Sequence, residues 1–108
     1  MEIKFNDPYL KAYYKDEKPK LKKEHLGNLA LRKQYIKTIN TLVSISKIED
    51  LYLFKSLHYE KKQGNLKEYS AVWVNKQYRI LFTEHTLNET STSIEILQIE
   101  KLSKHYED

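Results

Sequence analysis

"EYSAVWVNKQYRILFTE", residues 68–84, holds two runs of β-branched and aromatic residues around a short polar break, and the way those runs pair decides which residues share a sheet face. If Asn75, Lys76 and Gln77 form the loop, Val74 faces Tyr78, Trp73 faces Arg79 and Val72 faces Ile80. One face then carries Val72, Val74, Tyr78, Ile80 and Phe82 and is the side the helices cover. The other carries Tyr69, Ala71, Trp73, Arg79 and Leu81. A two-residue loop would set Arg79 opposite Val72 and bury a charge among apolar groups, at a cost of several kcal/mol. The three-residue loop is therefore expected, with Arg79 on an open face beside Trp73.

Working outward, "TSIEILQI" (92–99) reads as a third antiparallel strand and "LFKSLHYE" (53–60) as another strand or an extended approach to the sheet. The N-terminal half has a different period. "IKF" (3–5) reads as a short strand, and Asp7 and Pro8 as the cap and first residue of a helix over Pro8–Lys15. "KDEKPKLKKEH" (15–25) is charged and contains Pro19, so it is an exposed connection or a helix start. From about Leu26 to Ile45, the spacing of Leu29, Ile36, Ile39 and Val43 predicts an amphipathic helix whose polar side includes Arg32, Lys33, Lys37 and Asn40. "SKIE" (46–49) matches a capping box and predicts a helical turn through "IEDLYL". The expected architecture is α+β: an N-terminal short strand and two helices packed on a small curved antiparallel sheet, in one domain spanning 1–108.

Composition narrows the function classes. No apolar run is long enough for a transmembrane span and the start lacks the features of a signal peptide, so a cytoplasmic protein with no membrane role is expected. Zero cysteines exclude disulfides and thiolate metal sites, and His25, His58, His85 and His105 lack ligand-like spacing, so no metal or other cofactor is expected. Gly27 and Gly64 cannot make a phosphate-binding glycine loop, and no serine elbow supports a nucleophilic triad. The net charge of +4 permits an anionic partner. Its excess sits in residues 1–50, with 11 Lys/Arg against 7 Asp/Glu, while residues 51–108 balance at 8 and 8. Among 19 basic residues only Arg32 and Arg79 are arginine, which singles out both positions. Nine tyrosines exceed what one small core holds, so either Tyr9, Tyr13 and Tyr14 form an interface or they fill the crevice between the helices.

"LHYEKKQGNLKEYSAVWVNKQYRILF" (57–82) followed by "SIEILQIEKLSKHYE" (93–107), with "IEDL" before them, resembles the RelE/ParE superfamily of bacterial type II toxins, particularly its HigB-like members. The likeness covers roughly residues 44–107 and the helices in outline. It implies a RelE-like fold, a cognate antitoxin partner, and a toxin–antitoxin complex that binds operator DNA through the antitoxin. For the HigB and RelE branches it implies ribosome-dependent, metal-independent cleavage of mRNA. The alternatives are a ParE-like toxin that inhibits DNA gyrase without cleaving, and a catalytically silent relative that acts through binding.

Metal-free RNA cleavage needs a base for the 2′-hydroxyl proton, cations for the pentavalent phosphate and an acid for the leaving 5′ oxygen. The resemblance puts His58 and Arg79 at the family's histidine and arginine positions, with Lys61 as an auxiliary cation. His58 also reads as an ordinary exposed histidine, and Arg79 as a surface arginine paired with Glu68 or Glu95. In the tail, His105 or Tyr106 would close on the cleft as acid or as a stacking group, or Tyr106 would simply pack on the sheet. Lys62, Lys67, Lys76, Lys101 and Lys104 are the candidate phosphate contacts. One departure stands out: where toxins of this group carry Arg or Lys, this chain has Trp73, a residue that can stack a base but cannot supply charge.

Overall fold

The fold was taken from a computed structural model, in which residues 1–15, 28–89 and 92–104 are described. Strand β1 (Glu2–Phe5) leads into helix α1 (Pro8–Lys15), where the Asp7 side chain accepts from Tyr9 N at 2.9 Å and Pro8 occupies the first turn as expected. Helix α2 (Leu29–Ser44) starts three residues later than the periodicity suggested, because Asn28 caps it by accepting from Leu31 N at 2.9 Å. Two 3-10 turns follow, Ile48–Leu53 and Lys55–Leu57. The first is preceded by the N-cap Lys47, whose N–H donates to the Asp50 side chain at 3.3 Å, so the reciprocal pair lies one residue beyond the Ser46 and Glu49 expected. Strands β2 (Glu60–Lys61), β3 (Ser70–Trp73), β4 (Tyr78–Glu89) and β5 (Thr92–Lys104) complete a five-stranded sheet of order β1-β5-β4-β3-β2.

The central hairpin has the register read from the sequence, with Val72 opposite Ile80 and Trp73 opposite Arg79. Its loop is closed by Asn75, whose side-chain oxygen accepts from Gln77 N and Tyr78 N, both at 2.8 Å. Other parts differ from expectation. The sheet is not wholly antiparallel, since β1 pairs with β5 in parallel. "LFKSLH" (53–58) is 3-10 turn and cap, and the strand begins only at Glu60. Strands β4 and β5 run past the expected ends at 84 and 99, so Lys101 and Lys104 are strand residues and not part of a tail that folds back. The polar composition of "EHTLNE" hid this extension: the side chains of residues 85–88 are exposed, so they show no apolar alternation.

Helix α2 is also rotated from the predicted stripe. Its buried face is Leu31, Arg32, Tyr35, Thr38, Ile39 and Leu42, whereas Leu29 and Val43 are exposed. Spacing alone could not choose between these stripes, and packing against α1 chose the one that carries a tyrosine and an arginine. Tyr9 and Tyr13 fill the crevice between the helices, where Tyr13 and Tyr35 have ring centroids 5.0 Å apart. Tyr14, only partly buried, donates to Asn40 Oδ1 at 2.5 Å. Arg32, placed on the polar side by the sequence, lies buried: its Nε donates to Tyr13 O at 3.1 Å and a terminal nitrogen to Ala12 O at 3.4 Å. It thus satisfies carbonyls near the end of α1, where the helix dipole favours a cation.

A bulge in β4–β5 leaves Glu100 as the extra residue, since Leu81 pairs with Lys101 and Phe82 with Ile99. Its carboxylate accepts from Asn6 Nδ2 at 2.9 Å, Thr83 Oγ1 at 3.0 Å and Gln98 Nε2 at 2.8 Å, joining the end of β1 to β4 and β5. Burial alone would raise the pKa of Glu100, but these three hydrogen bonds and His85 more than offset it and hold it below its ordinary value. A group with a depressed folded pKa stabilises above its unfolded pKa and loses that contribution as pH falls. In thermal melts, wild type should therefore lose more stability than Glu100→Gln as pH drops from about 5 to about 3. Equal losses would show that the latch contributes nothing. Among the described residues, no helix is long and apolar enough to cross a membrane.

Candidate functional site

His58 closes the Lys55–Leu57 turn, with its N–H donating to Lys55 O at 3.1 Å, in the left-handed conformation at φ 46° and ψ 45°. A side chain other than glycine adopts that backbone at a cost of about 1–2 kcal/mol. Histidine is among the residues that tolerate it best. The result is an exposed imidazole lying on Trp73, with ring centroids 3.8 Å apart and planes 26° from parallel. From the neighbouring strand, the Arg79 guanidinium carbon stands 4.0 Å from the same indole centroid. Two groups so near one centroid would overlap if they shared a face, so the indole is sandwiched between them.

Arg79 is only 7% exposed, although the sheet face it shares with Trp73 was expected to be open. Ala71 and Leu81 on that face are buried as well. A terminal nitrogen of Arg79 donates to Asn75 O at 2.8 Å and Tyr78 O at 3.1 Å, so the hairpin loop itself fixes the guanidinium. Of the two carboxylates considered as partners for Arg79, Glu95 accepts from Ile48 N at 3.1 Å and Glu68 is exposed. Stacking uses the flat face of a guanidinium and leaves its N–H groups in the plane, which suits the grip of an anion at the edge. Both faces of Trp73 are occupied, so a nucleobase could stack there only after His58 or Arg79 moved.

The structure brings His58, Trp73 and Arg79 together and distributes the lysines around them. Lys101 pairs with Leu81 and so shares the Arg79 face of the sheet, whereas Lys104 pairs with Tyr78 and points to the other. Ser103, directly opposite Arg79, is a neighbour that the sequence reading did not pick out, because it depends on β5 continuing to Lys104. Lys61 pairs with Ser70, again on the far face from Trp73, and its ammonium lies 3.8 Å from Glu84. Glu84 also accepts hydrogen bonds from the Tyr59 and Ser70 hydroxyls, and burial together with the bond to Glu84 pushes Tyr59 well above the ordinary phenol range. Lys62 donates to Glu60 at 2.8 Å, while Lys67 and Lys76 are exposed. His105 and Tyr106 lie outside the described residues. Among the described residues, no group of three or more His, Asp or Glu side chains is arranged to hold a metal ion.

Comparison with known proteins agrees with this architecture. The family profile described as the RelE-like toxin of type II toxin–antitoxin system HigB matches residues 3–96. Toxin HigB-1 of Vibrio cholerae serotype O1 is 31% identical over 82 residues, which span 76% of this chain and 82% of that protein. Two solved structures share the fold. A YoeB/ParE toxin from Agrobacterium tumefaciens superposes with a TM-score of 0.53 at 13% identity, covering 98% of this chain and 100% of that one. The YoeB dimer from Staphylococcus aureus gives 0.50 at 20% identity, with 98% of each chain covered. With a family match running from β1 into β5, and a RelE-type fold that holds a histidine and an arginine on one indole, this chain belongs to the HigB-like, RelE-like toxins of type II toxin–antitoxin systems.

Proposed function

We propose that this toxin is a ribosome-dependent mRNA endoribonuclease that cleaves by attack of the 2′-hydroxyl on the adjacent phosphate. The observation that carries this reading is the convergence of His58 and Arg79 on Trp73 from separate segments of the chain. His58 takes the 2′-hydroxyl proton, the 2′ oxygen bonds to phosphorus, and the bond to the 5′ oxygen breaks, giving a cyclic phosphate and a 5′-hydroxyl end. Arg79, held by Asn75 and Tyr78, presents guanidinium N–H groups to the charge that builds on the phosphate. Lys101 adds positive charge on the same sheet face. The acid for the leaving oxygen is assigned to His105 or Tyr106 by family resemblance.

The test is induced expression in a bacterial host, following growth and a reporter mRNA on translating ribosomes, with His58→Gly and His58→Ala beside wild type. Glycine relieves the left-handed backbone at residue 58 while alanine keeps it strained, so His58→Gly should melt at the higher temperature by about 1 kcal/mol of stability. Both should lose discrete cleavage and growth arrest. Arrest with intact mRNA in the wild type would overturn the nuclease reading, and normal cleavage by a folded His58→Gly would remove His58 from it.

A toxin of a type II system has a cognate antitoxin partner. We assign to it the groove of about 530 Å³ between β1, α1 and α2, whose lining includes Phe5, Ile39 and Val43 along with Lys4, Lys11 and Lys15. No carboxylate lines it among the described residues, so an amphipathic segment with acidic flanks fits. Lys11 and Lys15, one helical turn apart, suit carboxylates spaced in the same way. In calorimetric titration with the antitoxin, the double substitution Lys11→Glu and Lys15→Glu should weaken binding about tenfold or more at low salt. Unchanged affinity would place the antitoxin elsewhere.

A further inference from the structure

We propose that Trp73 is the positioning residue of this site: its indole holds the His58 imidazole and the Arg79 guanidinium on opposite faces and delivers them to the substrate as one preset pair. The catalytic half of this inference rests on the nuclease reading above; the clamp itself does not. Three observations point to it. The first is the sandwich, with 3.8 Å to one ring and 4.0 Å to the guanidinium carbon, each at contact distance for a stacked pair.

The second is the backbone at His58. A left-handed residue persists only where its surroundings over-determine it, and the stack on Trp73 holds the His58 side chain in place. The third is the direct cross-strand pairing of Trp73 with Arg79. A second cation at position 73 would repel Arg79 across that pair, whereas the negative face of an indole attracts it. The ring thus adds to the loop carbonyls in ordering Arg79, and it ties His58 to that fixed guanidinium. His58 and Arg79 can be no farther apart than those two contact distances together, and both are reachable from the edge of the same ring.

Trp73 is the only tryptophan in the chain, so its emission reports on this ring alone. A protonated imidazole stacked on an indole quenches it. Emission of the purified toxin should fall as His58 takes up a proton, and His58→Gln should abolish that pH-dependent step. In NMR spectra, the ring protons of His58 and the Arg79 Nε–H should lie upfield, and both displacements should vanish in Trp73→Leu. On programmed ribosomes, Trp73→Leu should lower kcat on the order of 100-fold with little change in KM, the size of effect that a displacement of about 1 Å produces. Trp73→Phe, which keeps a ring to stack on, should recover most of that loss.

The spectroscopic and kinetic readouts separate the clamp from the chemistry. Emission with no His58-dependent step, or no upfield shifts in wild type, overturns the clamp whatever the toxin cleaves. Full activity in a folded Trp73→Leu overturns the positioning role. A wild type that shows the quenching and the shifts but cuts no mRNA overturns the nuclease reading and leaves the clamp standing.

Discussion

Arg79→Ala is expected to abolish growth arrest and to lower mRNA cleavage by two orders of magnitude or more, about the loss seen when one oriented donor to a developing oxyanion is removed. Two features of the site make this the largest expected effect on activity. The guanidinium is fixed by the carbonyls of Asn75 and Tyr78 and by the indole of Trp73, so in the proposed mechanism it would meet the phosphate without reorganising. Lysine cannot substitute, because a point charge on a flexible stem neither stacks flat on the indole nor grips two oxygens at once. Arg79→Lys should therefore stay close to Arg79→Ala. The alanine substitution also removes hydrogen bonds that brace the 75–77 loop, at a stability cost of about 1–2 kcal/mol. Retained antitoxin binding by the variant separates that cost from the loss of chemistry. A folded Arg79→Ala that still arrests growth would remove Arg79 from the mechanism.

The second large effect concerns stability and falls on the other arginine. Arg32 is 8% exposed, donates to the carbonyls of Tyr13 and Ala12, and places its guanidinium 5.2 Å from the Tyr13 ring centroid. Alanine there leaves carbonyls of α1 buried without that donor and opens space between the helices, at a cost of about 3 kcal/mol. For a chain of this size such a change lowers Tm by roughly 10–20 °C. Arg32→Lys keeps the charge near the end of α1 but loses the fork, so it should fall between alanine and wild type. Cleavage per folded molecule should be unchanged, since Arg32 works between α1 and α2 while Arg79 works on β4. A Tm within about 3 °C of wild type in Arg32→Ala would show that the helix ends are satisfied without it.

The high-pH side follows from the same crevice. Burial, with Tyr9 adding to it and Arg32 opposing it, pushes Tyr13 up to about 12. Burial pushes Tyr35 up as well. Phenols that stay protonated in the fold beyond the pH at which they ionise in the unfolded chain favour unfolding as pH rises. The helix pair, like the Tyr59 hydroxyl bonded to Glu84, is therefore expected to lose stability in alkali.

Residue type and order in the sequence singled out particular side chains. Scarcity of arginine pointed to positions 32 and 79, and both proved to be buried and oriented by backbone carbonyls. The motif around His58 identified the histidine but not its left-handed backbone, because a turn closed by a 3-10 bond leaves no signature in composition. The stripe on α2 was misplaced for a related reason. Leu29 and Val43 are as apolar as Leu31 and Leu42, and only the position of α1 decides which pair is covered.

By itself the sequence determined the alternation that sets Trp73 against Arg79, since a slip of one residue would have put a charge into the helix-facing side of the sheet. It determined the caps that start α1 and α2, because those bonds close within a few residues of chain. Tertiary structure decided the rest: the parallel docking of β1 on β5, the burial of both arginines, and the meeting of His58 with Arg79 across one indole ring. The docking of β1, the bonds of Arg32 to α1 and the stack of His58 on Trp73 join residues far apart along the chain, so no local pattern encodes them. They exist because the packed sheet brings together side chains whose separate preferences, to stack and to hold a cation, are met by the same ring.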